Sequence, residues 1–337
     1  MRNKFILHIL LLIVLSFQSC KKSHDEPVIH NINPNIRLIV DHIYSDSPVN
    51  IPCAVWLPSN DIYTVNPFGV CKLTSEFVPS YTLLGFQYDG LYIDADATGN
   101  RLLRITPNFY DQTFGALYEY DINKGNIVKL FDSTNNISSA RYYRDTLHII
   151  YYSYGNPIGV NAGYFLFDKV TKRTDLLYSF FRAAGPIEFV NGFDIHPTEP
   201  MLIIPVVTVG ESPKIIEFNI KSKEVDTLKV SFDLSWNRIC LWLRYNKTGD
   251  KILYSCYPRG SGLYSPGDDS EIGIIDRTNL KKTILDANTN KYYKSLNICP
   301  QWSPDEKNII YSSASLTYDG ARSNYYLYLL KNIFINK

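Results

Sequence analysis

The sequence predicts an all-β fold, a six-bladed β-propeller whose last blade is closed by a strand from the N-terminal end. Three observations predict it. The stretch Cys299 to Ser315, CPQWSPDEKNIIYSSAS, reads as strand, turn and strand, and diverged copies recur upstream at roughly fifty-residue intervals. Most copies are followed by a second hairpin whose first strand ends on Asp or Asn, at Asp121, Asp168, Asn219 and Asp276, spaced 47, 51 and 57 residues apart. Such an interval holds four short strands and their turns, and one such sheet cannot bury its apolar faces alone. The third observation is a mismatch at the two ends. After a third strand around Tyr325 to Leu330 only Lys331 to Lys337 remain, whereas Ile36 to Tyr44 is strand-like and precedes the first copy. The opening strand is expected to complete the last blade and so remove the free edges of an open array.

In chain order, Arg2 and Lys4 precede an apolar run from Phe5 to Phe17 that ends at Ser19-Cys20. The run is shorter than the ~20 residues a membrane span needs, so residues 1–19 read as a cleaved signal peptide. The segment Leu15 to Cys20 resembles a bacterial lipoprotein signal, which implies lipidation of Cys20, and the run Cys-Lys-Lys-Ser resembles lipoproteins of the Bacteroidetes. Residues 20–35 are polar, with Pro27 and Pro34, as a tether would be, and residues 36–337 form the propeller domain. Ile51 to about Leu84 is a weak first blade. Clearer copies of the first hairpin are Ile93 to Leu102, a shortened version over 140–152 centred on Arg144-Asp145, Phe193 to Ile204 with the turn His-Pro-Thr-Glu-Pro, and Tyr245 to Tyr254. The last lies at a constant offset of 57 from Trp302 to Tyr311. Pro, Asp, Thr, Asn and Gly supply the turn geometry in each.

Trp302-Ser303-Pro304-Asp305-Glu306-Lys307, followed by an apolar strand, resembles the WD40-like repeat of the TolB-type six-bladed propellers. Glu306 stands where that pattern has glycine. The resemblance implies the fold and a habit of binding proteins or small ligands. It carries over no catalytic residue.

Composition narrows the partners. Of 34 Lys and Arg, Arg2 and Lys4 fall in the signal, which leaves 32 against 33 Asp and Glu. A near-neutral chain whose Lys21-Lys22 and Lys281-Lys282 are isolated pairs lacks the basic cluster that reads phosphates, so no nucleic-acid partner is expected. Tyrosine is abundant, 26 residues against 17 Phe and 2 Met, which suits strands and recognition surfaces alike. Five cysteines follow Cys20, an odd number in a compartment that permits disulfides. Cys240 and Cys256 lie symmetrically about Thr248 and face each other if the hairpin is symmetric, whereas a one-residue bulge separates them. Cys53, Cys71 and Cys299 have no partner that the sequence identifies.

Reactive constellations are sparse. His24, His30, His42, His148 and His196 are scattered over tether, strands and a turn, so no metal cluster is predicted. Asp94-Ala95-Asp96-Ala97-Thr98-Gly99 copies the opening of a calcium loop, but its twelfth position is Ile105 rather than a bidentate glutamate. There is no Gly-x-Ser-x-Gly elbow; Ser261 lies in a Gly-Ser-Gly loop, and Asp268-Asp269 read as solvated carboxylates. No cofactor is expected. Unusual chemistry collects instead in the connections between second and third strands and between blades, where aromatics stand beside arginines: Tyr110, Tyr154, Arg182, Trp236, Arg238, Arg259, Tyr264 and Arg322. Such residues stack, attract cations to ring faces and bond bidentately, and they are the candidate ligand-binding set. The resulting expectation is an outer-membrane lipoprotein, on the periplasmic or cell-surface side, touching the membrane through its lipid only. It binds an envelope protein or glycan without catalysis. The alternative is a carbohydrate-active lyase or hydrolase using carboxylates and tyrosines at the channel mouth.

Overall fold

The computed structural model describes residues 36–45, 53–66, 69–73, 79–80, 92–106, 116–132, 137–153, 162–179, 187–189, 192–208, 214–230, 232, 239–258, 270–288, 294–316, 323–331 and 333. The expected signal, Cys20 and the whole of the tether lie outside these residues. The chain opens with β1 (Ile36–Ser45) and then builds six antiparallel sheets in sequence. Blade one is β2 (Ala54–Trp56), β3 (Ile62–Asn66), β4 (Gly69–Leu73) and β5 (Pro79–Ser80). Blade two is β6 (Tyr92–Ala95), β7 (Arg101–Thr106), β8 (Ala116–Asp121) and β9 (Asn126–Asp132). Blade three is β10 (Ile137–Tyr142), β11 (His148–Ser153), β12 (Gly163–Asp168) and β13 (Thr174–Ser179). In blade four the first strand is broken into β14 (Ile187–Phe189) and β15 (Asp194–Ile195), both paired with β16 (Met201–Thr208), and β17 (Lys214–Asn219) and β18 (Val225–Leu228) follow. Blade five is β19 (Ile239–Tyr245), β20 (Lys251–Pro258), β21 (Ser270–Asp276) and β22 (Lys282–Asn288). Blade six has β23 (Lys294–Trp302), β24 (Ile309–Leu316) and β25 (Ser323–Leu330), and β1 is its fourth strand.

Closure is as the end mismatch predicts: β1 runs antiparallel to β25, from Ile36 opposite Leu330 to Ser45 opposite Ser323. The first strands form the inner wall, with β2 against β6, β6 against β10, β15 against β19, β19 against β23 and β23 against β2. A disulfide between Cys53 and Cys299, 246 residues apart, ties the start of blade one to the inner strand of blade six. The ring is thus joined twice at one seam. This bond supplies the partners that the sequence does not identify for Cys53 and Cys299. Tyr245 pairs with Ile252, so the hairpin centre falls between Thr248 and Gly249, and Cys256 faces Leu241 while Cys240 faces Tyr257. Cys256 and Cys71 are buried thiols.

Both faces of each sheet are covered by neighbouring blades, so the middle strands carry consecutive buried residues instead of strict alternation. Leu202, Ile203 and Ile204 of β16, Ile252, Leu253 and Tyr254 of β20, and Ile309 and Ile310 of β24 are all fully buried. Each such aliphatic side chain contributes about 1.5–3 kcal/mol of transfer free energy.

The turns follow two rules. In the first hairpin, one residue receives backbone bonds from within the turn and its own side chain often receives more. Asp96 Oδ1 accepts from the N–H groups of Asn100 and Arg101, Asn246 Oδ1 from Lys251, and Ser303 Oγ from Asn308, each at 2.9–3.0 Å. Three residues on, Gly99 (φ 73°), Gly249 (φ 78°) and Glu306 (φ 60°) take the left-handed conformation, so Glu306 adopts the geometry its glycine counterparts use. In the second hairpin the closing Asp or Asn accepts from the N–H groups two and three residues later, in all four copies that the sequence spacing singles out. The two turns of a blade are bonded side by side: Ile122 N–H to Asn100 O, Lys169 to Leu147, Ile220 to Pro200, Arg277 to Asp250. All these turns therefore sit at one end of the ring, the turn end.

Candidate functional site

The opposite end is defined by topology. Strands two, three and four of each blade alternate in direction, so the connections 107–115, 154–162, 209–213, 259–269 and 317–322 leave from strand ends remote from the turns, and so do the links between blades. Tyr110, Tyr154, Arg182, Trp236, Arg238, Arg259, Tyr264 and Arg322 belong to these connections and lie outside the described residues, as do Ser261, Asp268 and Asp269. The strand ends that flank them lie at this end of the blades, the loop end.

Within the channel the described residues reveal a second constellation, which sequence reading had missed. Two positions before the first-hairpin capping residue, the inner strands carry Asp94, Arg141, Asp194, Arg244 and Gln301 in blades two to six, and Val55 in blade one. The side chains link blade to blade. Arg141 Nη1 donates to Asp94 Oδ1 at 2.7 Å, and its Nε lies 3.2 Å from Asp194 Oδ1 and donates to the Phe193 carbonyl at 2.9 Å. Arg244 Nη1 donates to the same carbonyl at 3.2 Å. The Gln301 amide oxygen, oriented by the donors facing it, accepts from Arg244 Nε at 2.9 Å. Asp194 Oδ2 accepts from the Tyr245 N–H at 2.7 Å.

Asp94, Arg141, Asp194 and Arg244 are 4–9% exposed. Burial pushes the Asp94 and Asp194 carboxyls up to about 6 even though Arg141 opposes the shift. The belt side chains are bonded to one another and to backbone groups, near the turn end of the inner strands.

Further buried charges lie at the seams between blades, where one clamp occurs twice; Glu271 is instead bonded within blade five, to Tyr254 and Lys282, and Asp286 accepts from the Tyr311 hydroxyl of blade six at 2.7 Å. Glu119 of β8 accepts from the Tyr142 hydroxyl of the next blade at 2.8 Å and pairs with Lys169, whose ammonium also donates to the Thr146 carbonyl at 2.6 Å. Glu217 of β17 accepts from the Tyr245 hydroxyl at 2.7 Å and from Arg277 Nε at 2.6 Å. Burial beside a carboxylate holds both phenols far above their ordinary range. His196 belongs to this second clamp. Its Nδ1 accepts from the Glu199 N–H at 2.9 Å, which fixes the tautomer with the proton on Nε2, and burial lowers its pKa. The ring lies on Gly249, where a Cβ would come within 2.0 Å of Nε2.

The would-be calcium loop is likewise spoken for. Asp94 holds Arg141, and Asp96 caps its own hairpin and accepts from Thr98 Oγ1 at 2.6 Å. Among the described residues no three His, Cys, Asp or Glu side chains are grouped to share a metal ion.

The fold defines the class: a six-bladed β-propeller, with a belt of bonded polar side chains on the inner strands of blades two to six. No protein-family model and no curated protein matches the chain. Solved structures do. The chain is similar to a putative TolB from Agrobacterium tumefaciens, with TM-score 0.55 at 14% identity over 84% of this chain and 91% of that one. It is similar to an oligogalacturonate lyase in complex with manganese, with TM-score 0.53 at 14% identity over 83% and 76%. It is also similar to TolB from Acinetobacter baumannii, with TM-score 0.51 at 13% identity over 82% of this chain and 63% of that one. At such identities the likeness is one of fold, and at that level the resemblance to TolB-type propellers holds.

Proposed function

We propose that this chain is a lipid-anchored propeller of the bacterial outer membrane that works as a non-catalytic binding module, with the loop end as its recognition face and an envelope protein or glycan as its ligand. One observation carries the reading. The buried carboxylates described above, in the belt and the two clamps, are bonded within the ring, and these groups hold blades together rather than facing a cleft. We assign recognition to the eight aromatic and arginine residues of the loop-end connections, because rings beside guanidinium groups suit ligand binding. The TolB-type neighbours share only the fold, which is compatible with this role.

The test is affinity capture of the native protein from its membrane, with mass spectrometry of associated proteins and glycans. Joint substitution of Arg182, Arg238 and Arg259 by alanine is expected to abolish capture without lowering the melting temperature. Cleavage of a glycan by the purified protein would replace this reading with the catalytic alternative.

A further inference from the structure

The chain joins the ring at the turn end. Ile36, the first residue of β1, pairs with Leu330, and Leu330 pairs with Ile309, the residue that follows the last first-hairpin turn. That end has a surface chemistry of its own over blades three to five. Val170, in the β12–β13 turn, is 70% exposed, and Leu147, whose carbonyl accepts from the neighbouring Lys169 N–H, is 48% exposed. Asp168 and Asp276 turn inward to cap backbone N–H groups. On the tips of the same turns Lys172 and Arg173, Lys221 and Lys223, and Lys281 are exposed. Of the acids nearby, Glu224 accepts from Ser222 Oγ at 2.8 Å, Glu199 pairs with Arg277 and Asp145 with His148, while Asp175 and Asp226 on the outgoing strands are exposed. Exposed aliphatic side chains flanked by basic ones are the chemistry of contact with the headgroup boundary of an anionic bilayer.

We propose that the turn end of blades three to five rests on the anionic phospholipid surface that holds the chain's own anchor, with Val170 and Leu147 at the headgroup boundary and the lysines and arginine on the phosphates. The inference rests on the lipid anchor of the proposed function. From Cys20 to Ile36 there are 16 chain steps, which bounds the distance from a lipidated Cys20 to the turn end at about 55 Å. On this proposal the turn end faces the bilayer and the loop end faces away from it.

The experiment uses the full, processed protein reconstituted into phosphatidylglycerol vesicles with brominated acyl chains. Val170→Trp adds a reporter whose emission is expected to be quenched relative to the same protein in unbrominated vesicles. The quenching should be relieved at high salt and by reversing Lys172, Arg173, Lys221, Lys223 and Lys281 to Glu. Those reversals, on exposed tips, should leave the melting temperature unchanged and weaken the surface contact more than ~10-fold. Vesicle-bound protein whose added emission ignores bromine overturns the proposal and leaves the anchor standing. Protein that stays in the supernatant, or that carries no lipid on Cys20, overturns both.

Discussion

The Tyr245 hydroxyl reaches across a blade seam to donate to Glu217 at 2.7 Å, and Tyr142 does the same to Glu119 two blades earlier at 2.8 Å. In both places a basic side chain from the third-to-fourth-strand turn completes the group, Arg277 in one and Lys169 in the other. Repetition of a whole constellation, not of single residues, marks these seams as the places where the ring is held in register.

Removing the hydroxyl leaves a buried carboxylate short of a donor. Tyr142→Phe and Tyr245→Phe should each cost about 1–3 kcal/mol in denaturant unfolding. The two losses should add in the double variant, because the clamps share no residue. Strong non-additivity would mean that the seams communicate.

The belt gives stability an unusual pH dependence. The Asp94 and Asp194 carboxyls titrate near 6 in the folded protein, above the usual 3.8, so the folded state binds protons more tightly between those values. Their contribution is fully present below about pH 4 and is lost as pH rises through 6, by roughly 1–3 kcal/mol per group. Asp194→Asn should flatten the fall in unfolding free energy between pH 4.5 and 6.5; an unchanged slope would assign the effect elsewhere.

The disulfide joins residues 246 apart at the closing seam. On the chain-entropy account such a bond stabilises by up to about 5 kcal/mol. Reductant should therefore lower the melting temperature of the wild-type protein and leave that of Cys53→Ser/Cys299→Ser unaffected. A double-serine variant that still responds to reductant points to another bond.

At Glu306 two effects oppose each other. Its left-handed backbone costs about 1–2 kcal/mol in any residue but glycine, while its carboxylate accepts from the Lys247 N–H of the neighbouring blade. Glu306→Gly should be nearly neutral, whereas Glu306→Ala keeps the strain, loses the bond and should be destabilised by at least ~1 kcal/mol. Equal stability of the two variants would remove this explanation for the departure from the repeat pattern.

The repeat was legible because turns are local: Asp121, Asp168, Asn219 and Asp276 stand where a side chain must cap a hairpin, and such capping needs nothing beyond the next three residues. Ring closure was legible for a counting reason, a strand missing at one end and spare at the other. The Cys53–Cys299 bond and the belt were not, since both depend on which residues of neighbouring blades, well separated in sequence, meet on the inner strands. A signal for the belt was present all the same. Asp94 and Asp194, and Arg244 and Gln301, occupy the same place in copies already aligned, and Arg141 follows once the shortened hairpin over 140–152 is brought into register. Between the two arrangements left open for Cys240 and Cys256, half a residue decides against pairing, the difference between a hairpin centred on Thr248 and one centred just after it.

The central claim is a division of labour between the two ends of the ring, and capture from membrane extracts with two variants tests it most directly. With Arg182, Arg238 and Arg259 replaced by alanine the associated ligand should disappear; with Lys172, Arg173, Lys221, Lys223 and Lys281 reversed to Glu it should remain. Retention by the first variant together with loss by the second would contradict the account.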